Sequence, residues 1–184
     1  MLANVISIAN QTFRGEAHHA ARDAFNARLL TLKRAHDLLT DSNWGQTSVR
    51  KIMESALEPL LVEERAVHME GPEFAFGPRQ ALALALAANE LATNAVKYGA
   101  LSVPGGKIQI SWSGAAGDKA LFQWEWRKSG GPGVVTPPRI GFGPRVIKNL
   151  LAEELRGTSE IVYAPAGVIC RVTASPENLL GEAV

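Results

Sequence analysis

The sequence predicts an α+β protein, a helical hairpin followed by a two-layer α/β sandwich. Three observations predict it. Residues 1–40 hold two segments of helical period and no strand pattern. From residue 47 onward, short strand patterns come in pairs joined by turn residues, which makes them antiparallel neighbours. Helical segments at 78–98 and 144–155 separate those pairs and have to cover one face of the resulting sheet. Strict βαβ alternation is missing, which disfavours a doubly wound nucleotide-binding fold.

Each element has a local reason. Leu2, Val5, Ile6 and Ala9 recur at helical spacing, and the run stops near Gly15. The second hairpin helix, about 16–39, carries Ala20, Ala24, Ala27, Leu30, Arg34 and Leu38 along one side, with no Pro or Gly. One apolar stripe per helix needs a covering partner, so the hairpin is read as core or as a dimerisation element. Asp41-Ser42-Asn43 breaks the chain, and Thr47 or Ser48 caps a helix that runs to about Leu57. Short strands are expected at 67–69 and 73–76, interrupted by Gly71-Pro72. Pro78 opens a long helix that Gly99 closes after Tyr98. Strands at 107–113 and 120–126 follow, then a Gly/Pro-rich stretch, a helix at 144–155 and a last hairpin, 160–163 with 168–174. No pattern marks the tail after Pro176.

Composition narrows the function classes. The 184 residues are 46% hydrophobic and 20% charged, ordinary globular material. A net charge of +1 offers no basic excess for nucleic acid. The single Cys170 excludes an internal disulfide and a multi-cysteine zinc site. No apolar run is long enough to span a membrane, and the N-terminus lacks a signal-peptide pattern. The expectation is a soluble, cytoplasmic protein without direct membrane contact.

The informative stretch is Asn89 to Ser102. Glu90, Asn94 and Lys97 fall at i, i+4 and i+7, on one helix face, with Leu91, Ala95 and Tyr98 on an adjacent stripe that can face the sheet. A carboxylate can take a proton, an amide oxygen is a hard ligand for Mg²⁺, and an ammonium neutralises phosphate. Spacing alone fits a plain solvated face equally. Gly130-Gly131-Pro132-Gly133 and Gly141-Phe142-Gly143 then flank a short polar loop, and glycines there let backbone approach phosphates closely.

Taken together, the Asn-bearing helix, the Gly-Gly-Pro loop and the Gly-Phe-Gly turn resemble the N, G1 and G2 boxes of the ATP-binding domain shared by sensor histidine kinases, gyrase, Hsp90 and MutL, the Bergerat or GHKL-type ATPase fold. Glu90-Leu91-Ala92-Thr93-Asn94-Ala95 with Lys97-Tyr98-Gly99-Ala100-Leu101-Ser102 is similar to the N-box of the HWE/HisKA2 branch of bacterial histidine kinases. Arg34-Ala35-His36-Asp37-Leu38-Leu39 followed by Trp44 resembles that branch's second-helix signature, and Leu2 to Thr12 the part after its phosphoacceptor histidine. The resemblance implies a partial dimerisation and phosphotransfer hairpin at 1–43, an ATP-binding catalytic domain at 44–176 and a tail at 177–184. It implies ATP and Mg²⁺ as cofactors, with Asn94 on the metal and Glu90 assisting phosphoryl transfer. Lys97, Tyr98, Lys128, Gly130, Gly131, Gly141 and Gly143 would line the nucleotide pocket. It further implies a response regulator as partner, a homodimer through the hairpin, and an upstream sensor domain.

The departures are specific. The acceptor histidine would precede Leu2, and neither His18-His19 nor His36 stands in its motif. Asn89 replaces the branch's N-box His. Trp126 keeps the Trp of Trp-x-Glu, but Lys128 stands in place of the Glu. That carboxylate accepts from the adenine amino group, whereas lysine only donates. Lys128 therefore weakens adenine binding, turns outward, or suits a carbonyl-bearing purine. A docking module that binds a response regulator or kinase without using ATP is the competing reading.

Overall fold

The computed structural model describes residues 5, 7, 8, 12, 19–41, 45–61, 67–114, 121–134 and 145–179. The expected first hairpin helix and its Gly15 turn therefore lie almost wholly outside the described residues, as do Trp44, Gly141 and Gly143. Within them the order is α1 (His19–Asp41), β1 (Thr47–Ser48), α2 (Val49–Leu57), β2 (Val67–Glu70), β3 (Ala75–Phe76), α3 (Pro78–Tyr98), β4 (Lys107–Ser113) and β5 (Phe122–Ser129). A π-helical segment Val146–Leu151 runs into α4 (Ala152–Glu154), and β6 (Thr158–Ala164) and β7 (Gly167–Ala174) close the sheet. No helix among the described residues is long and apolar enough to cross a membrane.

Five strands form one sheet in the order β2-β4-β5-β7-β6, with α2 and α3 packed into the same core on one face. The helix-plus-sheet architecture is the predicted α+β arrangement. Two details differ from the sequence reading. β2 runs parallel to β4, Val67 opposite Ile108, so the sheet is mixed rather than purely antiparallel. β3 leaves the sheet and pairs with β1, Thr47 opposite Phe76, because Gly71-Pro72 turns the chain away and the backbone N–H of Val49 bonds to the Phe74 carbonyl.

The helix signals hold. The Ser48 side chain accepts from the Lys51 N–H as the N-cap of α2, and α3 starts at Pro78. Ten residues of α3 are buried, seven of them alanines. Opposite them the inner sheet face carries Trp112, Trp124 and Trp126, each at most 5% exposed. Small residues on the helix make room for large ones on the strands, the complementarity that close packing demands. The indole N–H groups of Trp124 and Trp126 are buried without a hydrogen-bond partner. Folded structure also continues past Pro176. Leu179 is fully buried and its carbonyl accepts from the Gly77 N–H at 2.7 Å.

Candidate functional site

α3 carries the site because its faces have different neighbours. Leu91 and Ala95 are buried toward the sheet, as their stripe predicts. Tyr98 does not join them; it is 77% exposed at the last turn, where the helix passes the sheet edge. Lys97 is exposed and Asn94 half-buried, so both keep polar groups near solvent.

Glu90 behaves unlike a solvated carboxylate. Its side chain is 9% exposed and forks against Arg28 of α1. Arg28 Nε donates to Oε1 and Nη2 donates to Oε2 at 3.2 Å. Sixty-two residues separate the two, and no sequence pattern joins them; a helical arginine among alanines was the only trace. Of the apolar stripe expected on α1, Ala27 and Leu30 have described side chains. Ala27 and Leu30 are exposed, while Thr31 is 3% exposed and Arg28 reaches inward. Where α1 lies over α3, a cleft of about 360 Å³ is lined by Asp23, Arg28, Asn89, Glu90, Thr93 and Lys97, among others. Asn94 and Tyr98 are not among its lining residues. Asn89 thus lines the cleft beside α1.

The second cluster forms at the far end of α3. Gly131 lies against Ala100: a Cβ added to it would meet the Ala100 Cα at 2.6 Å and N at 2.7 Å. Gly130 adopts φ 74°, a left-handed conformation that favours glycine, and sits against the Gly105 carbonyl. The Gly-Gly loop is pinned to the end of the Asn-bearing helix, backbone against backbone.

Lys128 is on the inner face of β5, with Trp124 and Trp126. Its half-buried amine reaches the end of α3, where a Cβ at Gly99 would lie 2.6 Å from Nζ. Burial pushes the Lys128 amine below the ordinary lysine range. Lys128 therefore does not turn outward. Nor does Glu125 replace the missing carboxylate, because it faces the opposite side of the sheet. There Arg127 Nη2 donates to Oε1 at 2.7 Å and Arg171 Nε donates to Oε2 at 2.8 Å. Burial pushes the Glu125 carboxyl up, but the hydrogen bonds and charges of the two arginines outweigh it and leave it below the ordinary range.

His36 is exposed on α1, and the Thr40 hydroxyl donates to its backbone carbonyl at 2.9 Å. His19 is exposed as well, and His18 lies outside the described residues. No group of three or more His, Cys, Asp or Glu that could hold a metal occurs among the described residues. The donor set still fits Mg²⁺ accompanied by nucleotide, since that ion keeps several waters and takes few protein ligands. Asn94, half-buried at the same end of α3, carries an amide oxygen of that hard kind.

Comparison with known proteins bears on the family and the fold. The HWE histidine kinase family model matches residues 1–73. The blue-light-activated histidine kinase of Brucella abortus is 41% identical over 186 residues, covering 98% of this chain and 38% of that protein. The corresponding protein of Brucella anthropi is 40% identical over 177 residues, covering 94% of this chain and 36% of its own length. The chain thus spans under two-fifths of the curated relatives it matches. Among solved structures, the histidine kinase domain of Erythrobacter litoralis EL346 blue-light activated histidine kinase superposes with a TM-score of 0.62 at 14% identity, covering 99% of this chain and 90% of that one. The likeness in structure establishes a histidine kinase catalytic fold. The chain belongs to the HWE-type sensor histidine kinases.

Proposed function

We propose that this chain is the nucleotide-binding and phosphoryl-transferring part of a sensor histidine kinase. Carrying the reading is one observation: a single helix presents Glu90, Asn94 and Lys97 just before the turn against which the Gly130-Gly131 loop is pinned. Asn94 would hold Mg²⁺ and Lys97 would neutralise phosphate charge. Tyr98, Gly130 and Gly131, with Gly141 and Gly143, would shape the pocket. When bound, Mg²⁺ supplies charge neutralisation across the phosphates. Glu90 would take the proton from one nitrogen of an acceptor imidazole while the other bonds to the γ-phosphorus and the bond to the ADP oxygen breaks. Positioning and electrostatics do most of such catalysis.

In the whole protein, this unit would sit behind an upstream sensor in the cytoplasm and pass its phosphoryl group to a response regulator. The division into hairpin (1–43), catalytic domain (44–176) and tail belongs to the same proposal. Dimerisation through the hairpin belongs to it as well.

Calorimetric titration with ATP and Mg²⁺ tests the reading. Wild type is expected to bind only with the metal present, and Asn94→Ala to lose that metal dependence. Equal binding by Asn94→Ala would remove the assigned role.

A further inference from the structure

We propose that Lys128 makes this site select a purine carrying a carbonyl, rather than an amine, at its six position, so that nucleotides of the guanosine or inosine kind are preferred to ATP. This rests on the nucleotide reading above. Three observations carry it. From the inner face of β5 the Lys128 amine reaches the end of α3, 2.6 Å from where a Cβ on Gly99 would stand. The side chain is half-buried, and among the described residues no hydrogen bond or ion pair engages its amine. Nor does a described strand carboxylate share its face. Those carboxylates, Glu70, Glu125 and Glu160, fall in one register row, Glu70–Ser111–Glu125–Arg171–Glu160, across the outer face. Lys128 lies three positions beyond Glu125 on the same strand, and an odd separation puts it on the opposite side. Glu90 of α3 is engaged by Arg28, more than two turns before Gly99.

An ammonium has donors and no acceptor. Against the six-amino group of adenine it sets donor facing donor, whereas a six-carbonyl accepts from it. A phosphate suits this place poorly, because the C-terminal end of a helix carries partial negative charge. That end tolerates a cation and repels an anion, so a neutral carbonyl is the acceptor that satisfies both. Helical side chains also lean toward the N-terminus. The polar ends of Asn94 and Lys97 therefore lie over earlier turns than Gly99, which separates phosphate handling from the edge of the base.

Competition titration of this chain with the Mg²⁺ complexes of ATP, ITP and GTP tests the proposal. ITP carries a carbonyl where ATP carries the six-amino group, and GTP shares that carbonyl. In wild type, ITP and GTP are each expected to bind about tenfold more tightly than ATP, the scale of one buried polar group left unpaired. Lys128→Glu supplies an acceptor and should reverse the order. Lys128→Met, of similar length but without a donor, should level it. Each order is read within one chain, so a variant's loss of stability leaves the comparison intact. ATP bound as tightly as ITP by wild type, or the wild-type order kept by Lys128→Glu, would overturn the assignment while the nucleotide reading stands. A wild-type chain that binds none of the three would overturn both.

Discussion

Glu90 and Glu125 are both paired with arginine, and their surroundings differ. Glu90 is 9% exposed and meets Arg28 across two elements. Glu125 is 25% exposed on the open sheet face and meets Arg127 on its own strand and Arg171 on the neighbouring one. In the first pair, burial makes the Glu90 charge depend on Arg28, since an ion left alone away from water is strongly destabilising. In the second, water replaces whatever a mutation removes. The contact that ties α1 to α3 is therefore the costlier one to lose.

The largest expected effect comes from breaking the covered pair on one side. Glu90→Ala leaves Arg28, itself 30% exposed, without its carboxylate. Urea unfolding is expected to show a loss of about 2–3 kcal/mol, at or below the low end for a half-broken buried pair because Arg28 keeps some water. Restoring neutrality with Arg28→Met in the same chain should recover most of that loss.

Lys128 sharpens the comparison from the other face of β5, where burial holds an amine below the ordinary lysine range. Lys128→Glu restores an acceptor for the adenine amino group. ATP affinity is expected to rise about tenfold, the lower end of what one unpaired polar group costs, as read by titration. Unchanged affinity would place Lys128 outside the base site.

Glu125 gives the smallest effect. Glu125→Gln should change stability by at most about 0.5 kcal/mol at neutral pH, as exposed pairs do. Its lowered carboxyl gives the sign with pH: the pair's contribution is present above the ordinary carboxylate range and fades as acid protonates the folded group. Wild type and Glu125→Gln should thus converge in acid melts. Cys170 behaves oppositely. Burial pushes its thiol up to about 12, so the folded chain should resist alkylation at pH 8 and react only on unfolding. The neutral thiol favours the fold below the ordinary cysteine range, and that contribution is lost progressively as alkaline pH ionises the unfolded chain and then the folded one.

Much of this was legible in the sequence. Pro78 and Gly99 marked the ends of α3, and Ser48 its predecessor's cap, because those residues act through backbone neighbours a few positions away. Strands were legible at 107–113 and 120–126, since a strand's pattern needs no partner to be read, although the second runs from Phe122 to Ser129. The grouping of Glu90, Asn94 and Lys97 followed from helical spacing. Three things waited for tertiary structure: the parallel pairing of β2 with β4, the exposure of Tyr98, and the Arg28–Glu90 fork. Each depends on where one element ends against another, and periodicity within an element carries no information about its distant neighbour. The sequence by itself determined which residues share a face. Only packing decided which of those faces meets water, the sheet or the hairpin helix, because burial is a property of pairs of elements rather than of either one.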